Sequence, residues 1–377
     1  MLLHAKGTGV DIIAKSLSWW RSWTWLAPLA GWALVVASLL VRHRLLGAAE
    51  GIGLIACVLA AVHHAEIVAH RVGEPFGTLL LALAVTVIEV ALIVSLMLSG
   101  GEATAALARD TVFASIMIIL NGMVGLCLLV AAWRHGEQSF GLYGVNATLA
   151  ALAAISVIIF ILPNTTTSAP GPSYSTSQLG FVGVVSLVLY GVFVLVQTVR
   201  HRDYFLPSEG SNREAAEHLA PPSMGATAFS AVLLVVCLGA VVILAKTLAP
   251  VIEAAVDSVR APKAAVGVIV AGIVLLPESL SALKAARANR IQTSLNLALG
   301  SAMASIGLTV PAVAAVSIGT GSTLVLGLDL KATVLLGLSL LVATLSLGTG
   351  RTIGLQGVIH LVIWSDPHGV DSNGLLN

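Results

Sequence analysis

The residues with most to say about chemistry are two glutamates that stand alone in long apolar stretches. From Pro75 to Ser99 the single charge is Glu89, and from Ala264 to Leu283 it is Glu278. A carboxylate at the centre of a bilayer costs roughly 2.5–3.5 kcal/mol on insertion scales, so an isolated one implies a function. What a carboxyl can do there is bounded: it can hold a proton or lend oxygens to a cation. Removal from water favours the neutral acid and an arriving cation favours the anion, so proton and cation compete for the same oxygens. A single such residue could be a protonated acid in an interhelical hydrogen bond. Two, in matching places of two halves, point to ion binding.

The rest of the chain is what must position them. Of 377 residues 57% are apolar and only 10% charged, with a mean hydropathy of +0.98. Soluble domains run near about 25% charged, so this inventory cannot build a water-facing surface. The chain is expected to be an all-α polytopic membrane protein. Nineteen Lys and Arg against 18 Asp and Glu leave a net charge of +1, with no pull toward nucleic acid or an acidic partner protein. Cys57, Cys127 and Cys237 fall inside apolar runs with no C-x-x-C spacing, and read as small core residues, not a disulfide framework or zinc site.

A crossing helix needs about 20 apolar residues. Eleven candidates appear, at 26–41, 50–69, 75–99, 111–132, 144–163, 179–199, 224–246, 264–286, 291–316, 324–348 and 352–365. Trp19, Trp20, Trp23 and Trp25 flank the first as an interfacial belt. The opening 25 residues lack the apolar region and cleavage site of a signal peptide. Residues 164–178 form an uncharged loop rich in Thr, Ser and Pro, and 200–223 form the longest internal polar stretch. The expected organisation is an N-terminal segment with an extra helix (1–48), a first five-helix set (49–200), a cytoplasmic linker (201–223), a second set (224–365) and a tail (366–377). With the N-terminus inside, 12 of the 19 Lys and Arg fall on inside segments and 7 outside. That bias favours a cytoplasmic N-terminus and a periplasmic C-terminus.

The two halves share letters. Glu66-Ile-Val-Ala-His70-Arg-Val72-Gly-Glu-Pro75 and Glu253-Ala-Ala-Val-Asp257-Ser-Val259-Arg-Ala-Pro262 both fit E-x-x-x-[HD]-x-V-x-x-P at a constant offset of 187. Each precedes an apolar helix bearing the lone glutamate, 14 residues past the proline in the first and 16 in the second. Five spans per repeat is an odd number, which turns the second copy upside down. Inverted repeats with a site at the midplane are the architecture of secondary transporters.

Gly73-Glu-Pro-Phe-Gly-Thr through Val-Ile-Glu89-Val, Arg109-Asp-Thr, Pro277-Glu278-Ser and Asn296-Leu-Ala-Leu-Gly-Ser301-Ala-Met-Ala-Ser305 to Pro311 resemble the bacterial ChaA-type cation/proton antiporters of the calcium/cation antiporter superfamily. The similarity runs from about residue 30 to 365, ending in Ser346-Leu-Gly-Thr-Gly-Arg351-Thr and His360. The resemblance implies eleven helices, one extra plus two inverted sets of five, with an essential acid in each repeat, here Glu89 and Glu278. It places Ser301, Ser305 and Asn121 near the cation. Relatives often carry a strongly acidic cytoplasmic segment between the halves. Here 200–223 mixes four acids with three arginines, which argues against calcium sensing by that loop.

Calcium takes six to eight oxygen ligands. Glu89 and Glu278 would give part of that shell, with Thr86, Asn296, Ser301 or Ser305, waters and freed carbonyls as further candidates. Pro277, directly before Glu278, removes a helix hydrogen bond and frees the carbonyl of Ile273. The expected function is exchange of a cation, Ca2+ first and Na+ or K+ as alternatives, for protons across the bacterial inner membrane by alternating access. A sodium/calcium exchanger or a cation channel without proton coupling is the alternative. Inorganic cations, protons and the lipid bilayer are the expected partners. No cofactor and no enzymatic reaction are expected. His63, His64, Glu66 and His70 lack H-E-x-x-H spacing; Glu66 and His70 are expected near the inner mouth, with Glu253 and Asp257 mirroring them outside. No G-x-x-x-x-G-K-[ST] phosphate loop is present, which argues against an ATP-driven pump.

Overall fold

A computed structural model describes residues 8–40, 44–73, 76–100, 105–205, 222–258 and 264–365. Most of the linker and the tail after Ser365 therefore lie outside the described residues. The chain is nearly all helix: α1 (Thr8–Leu40), α2 (Arg44–Val72), α3 (Phe76–Gly100), α4 (Leu107–Met117), α5 (Val124–His135), α6 (Leu142–Ser156), α7 (Thr176–Leu195), α8 (Met224–Ser258), α9 (Ala264–Arg287), α10 (Ile291–Thr320), α11 (Leu330–Leu347) and α12 (Gly354–Ser365). A π segment, Ile118–Met123, joins α4 to α5 in one rod, so among the described residues the twelve α-helices make eleven rods, as the hydropathy count predicts. Among the described residues eight helices are long and apolar enough to cross a membrane, and Leu83–Ser95 and Gly354–Ser365 are shorter apolar helices.

Two boundaries differ from expectation for clear reasons. The span expected at 224–246 runs on to Ser258, straight through Pro250, so the Glu253–Asp257 motif is helical. The span expected from 324 begins only at Leu330, where Asp329 caps the helix by accepting from Ala332 N at 2.7 Å. Residues 324–328 are extended instead, and their backbone groups are met by neighbours. Val325 N donates to Ala105 O (3.0 Å), Leu328 N to Phe160 O (2.9 Å) and Arg109 Nη1 to Gly327 O (2.9 Å). Irregular backbone in such a protein persists only when paired in this way. Elsewhere local signals hold: Ser175 and Gln178 form a reciprocal capping box at α7, and Gly321 closes α10 at φ +68°.

The rods gather into two compact units that do not follow the two sequence halves. One unit holds α1, α2 and α8 as far as Val251. Inside it Trp32 Nε1 donates to Val236 O (3.2 Å), His64 Nε2 meets Thr24 O (3.2 Å), and Cys57 and Cys237 are fully buried. The leading helices of the two expected repeats, α2 and α8, thus belong to one body. The other unit runs from Ala82 to Ala220 and from Ile252 onward. Its centre is α10, packed on α4, α5, α6, α7 and α9 through buried Leu295, Ala298, Ala302, Met303 and Ile306. A two-residue antiparallel pairing of β1 (Gln138–Ser139) with β2 (Arg351–Thr352) ties the α5–α6 loop to the α11–α12 loop.

Two further π segments, Val157–Ile161 and Val196–Arg200, extend α6 and α7. In the first, a five-residue step would pair Ile158 O with the nitrogen of Pro163, which has no hydrogen. Tyr174 supplies the missing donor, its hydroxyl reaching Ile158 O at 2.5 Å. Burial pushes the Tyr174 phenol up from 10.0 to about 12. A raised folded-state value means this group's stabilisation is complete below about pH 10 and is lost as pH climbs through about 12. Tyr174→Phe should therefore lower stability at neutral pH, by about 1 kcal/mol for the bond, and flatten the fall in thermal stability above pH 10. A parallel fall in variant and parent would refute the assignment.

Candidate cation site

Glu89 lies on α3 and is 2% exposed. Two hydroxyls reach its Oε1, Ser115 Oγ from α4 at 3.3 Å and Ser305 Oγ from α10 at 2.5 Å. Thr309, one turn beyond Ser305, is fully buried, its hydroxyl without a hydrogen-bond partner. Glu278, the second carboxyl, lies on α9 within electrostatic reach of Glu89. It is half-buried overall, yet its Oε2 is sealed from solvent and has no hydrogen-bond partner.

Glycine sets this convergence. A Cβ on Gly267 of α9 would fall 3.0 Å from Thr111 N and 3.1 Å from Asp110 C, so α9 crosses α4 at backbone distance. Thr111 begins the turn that ends in Ser115, whose hydroxyl also lies 3.0 Å from Thr111 O. On the other flank a Cβ on Gly307 would meet Tyr190 Cβ at 2.7 Å, which seats α10 against α7. Close approach through small residues is how helices associate where no hydrophobic gradient drives them.

Among the sequence candidates, the fold brings together Glu89, Glu278 and Ser305. Thr86 is buried one turn before Glu89, and Ser301 is half-buried one turn before Ser305. The two amides are engaged elsewhere. Asn121 Nδ2 donates to Ser339 Oγ (2.8 Å), and Asn296 Nδ2 donates to Phe205 O (2.5 Å) while its Oδ1 accepts from Gln292 (3.0 Å). Glu66 and His70 are exposed on the last turns of α2. Glu253 and Asp257 fall within α8, their side chains outside the described ones.

Sequence reasoning passed over Ser115 and Thr309. Both carried a signal. Ser301, Ser305 and Thr309 are spaced by four, one helical face. Ser115 follows Glu89 by 26 residues and Ser305 follows Glu278 by 27, one residue short of a match between the two halves. It also passed over Glu50, an acid near the start of α2 that is 3% exposed. Among the described residues no third His, Cys, Asp or Glu joins the carboxyl pair. Any cation held there must complete its shell from hydroxyls, carbonyls and water, a donor set of hard oxygens suited to Na+, K+ or Ca2+.

An all-helical, multi-pass architecture around two neighbouring carboxyls in apolar helices defines a membrane ion exchanger. The family profile described as sodium/calcium exchanger protein matches residues 45–199 and 229–365, and the chain belongs to that family. It is of the ChaA type, being 37% identical to the sodium-potassium/proton antiporter ChaA of Escherichia coli over 83% of this chain and 85% of that one. It is 48% identical to the y4hA protein of Sinorhizobium fredii over 91% of this chain and 94% of the relative. Among solved structures, native YfkE superposes with TM-score 0.68 at 18% identity, covering 91% of this chain and 97% of that one. The H+/Ca2+ exchanger CAX gives 0.64 at 14%, covering 90% and 86%. These two likenesses speak to the fold.

Proposed function

We propose that this chain exchanges a cation for protons across the bacterial inner membrane by alternating access, Glu89 and Glu278 taking cation and proton in turn. The observation that carries this reading is the unequal state of two neighbouring carboxyls. Glu89 is met by hydroxyls from α4 and α10, one from each sequence half, while Glu278 beside it keeps a buried oxygen without a partner. A buried carboxylate oxygen without a partner is costly unless it carries a proton or faces a cation. Exchange then needs no separate proton site. Two carboxylates suit a divalent ion, and Ca2+ remains the first candidate; the chain's likeness to a sodium-potassium/proton antiporter puts Na+ and K+ beside it. The cytoplasmic N-terminus, periplasmic C-terminus and inverted five-helix repeats, with 1–48, 49–200, 201–223, 224–365 and 366–377 as segments, belong to the same proposal and rest on the charge bias and the repeated letters.

The test is collapse of an acid-inside pH gradient in everted vesicles on adding Ca2+, Na+ or K+ separately. Collapse by one ion names the substrate. No response to any of them removes the proton and leaves sodium/calcium exchange or a channel. Within this scheme Ser305→Ala removes a hydrogen bond to a charged group, worth about 1.5–3 kcal/mol, so half-saturation should need about tenfold more cation. An unchanged half-saturation would place Ser305 outside the site.

A further inference from the structure

A second buried polar chain begins six residues past Ser115, roughly 9 Å along the same rod. His360 of α12 is fully buried, and its Nδ1 faces Asn121 Oδ1 at 3.4 Å. Asn121 Nδ2 lies 2.8 Å from Ser339 Oγ, which lies 2.7 Å from Leu335 O on α11. The directions follow from the far end. A carbonyl only accepts, so the Ser339 hydroxyl hydrogen goes to Leu335. Ser339 Oγ is then the acceptor for Asn121, whose amide nitrogen must face it. That turns Asn121 Oδ1 toward the imidazole, and His360 donates from Nδ1. One directed chain thus joins α12, the π segment Ile118–Met123 and α11.

Its place gives it consequence. A π segment is a widened turn, and such turns recur at functional sites. If the wide turn migrated toward the N-terminal side of the rod, each residue it passed would rotate by about 100°. Ser115 stands on that side, with its hydroxyl on Glu89. The Met117 sulfur, just before the wide turn, touches both Asn121 Nδ2 (3.8 Å) and Ser339 Oγ (3.5 Å). The clamp cannot drift away, because α12 is pressed onto α5. A Cβ on Gly125 would fall 2.9 Å from His360 Cβ and 3.0 Å from Gly357 O.

We propose that His360, acting through Asn121 and Ser339, is a positioning residue that fixes the register of this π segment and so the presentation of Ser115 to Glu89. It touches neither cation nor transported proton. Its effect on transport rests on the exchange reading above; the clamp itself does not. The first measurement is amide hydrogen exchange of the purified full chain, comparing the parent with His360→Phe and Asn121→Leu. Faster exchange confined to peptides covering 107–124 and 335–340, restored by His360→Gln, is expected. Exchange equal to the parent's, or raised evenly through the chain, overturns the clamp whether or not the protein moves ions. The second is a double-mutant cycle on cation half-saturation. His360→Phe should weaken it about tenfold with little loss of maximal rate, and adding Ser115→Ala should cost nothing more. Additive losses would show that His360 does not act through Ser115. If the parent moves no cation, the exchange reading fails by itself and the hydrogen-exchange result still decides the clamp.

Discussion

Glu89→Gln and Glu278→Gln each leave everted vesicles without cation-driven proton movement. Glutamine keeps the shape and the acceptor oxygen that Ser115 and Ser305 address on Glu89. What it removes is the charge. An anion 4 Å from a monovalent cation at an effective dielectric near 20 contributes roughly 4 kcal/mol, about a thousandfold in affinity, and more for a divalent ion. The amide also cannot release a proton, so both sides of the exchange fail together. Aspartate at either position keeps charge but retracts it by one methylene, and retains partial exchange. Substantial transport by either glutamine variant would remove that carboxyl from the mechanism.

Gly357→Ala destroys the packing of α12 on α5, the second large effect. The added carbon would sit 2.6 Å from Leu129 N and 2.7 Å from Gly125 O. Both are backbone atoms inside a helix and cannot turn aside as a side chain would. A cost of about 3 kcal/mol or more is expected, at the upper end of overpacking. Gly337→Ala on α11 is the control, since nothing lies within 4 Å of its added carbon. Relief of glycine's backbone entropy should leave it neutral or gain about 0.5–1 kcal/mol. Thermal unfolding in detergent, read by size-exclusion fluorescence, separates the two. A Gly357→Ala protein that melts with the parent would refute the close crossing.

How much of this could be read from letters depends on what kind of information each feature needs. Hydropathy found the rods, because a bilayer demands long apolar runs wherever they cross. It misplaced the start of α11, because 324–328 is as apolar as a helix while its backbone pairs are made with residues 105, 160 and 172, far away in sequence. Glu89 and Glu278 were legible as charges without local compensation. Ser305 came through the family resemblance, and Ser115 was missed because a lone serine in an apolar helix usually bonds its own preceding turn, as Ser115 also does with Thr111 O. Asn121 and Asn296 were marked as candidate ligands on residue type. The structure gives each amide another task, since an amide carries donors as well as an acceptor and both are used.

Among the described residues all three π segments, 118–123, 157–161 and 196–200, precede the linker at 201–223, and α8 to α12 carry none. Mechanically the halves are then unequal springs. A widened turn is one of the few places where an α-helix kinks. Strain imposed as the carboxyls change occupant would be absorbed at those three places on one side of the linker, and at Pro250, Pro277 and Pro311 within α8, α9 and α10 on the other. The inverted repeat proposed above would describe where the helices lie and not how they share the work.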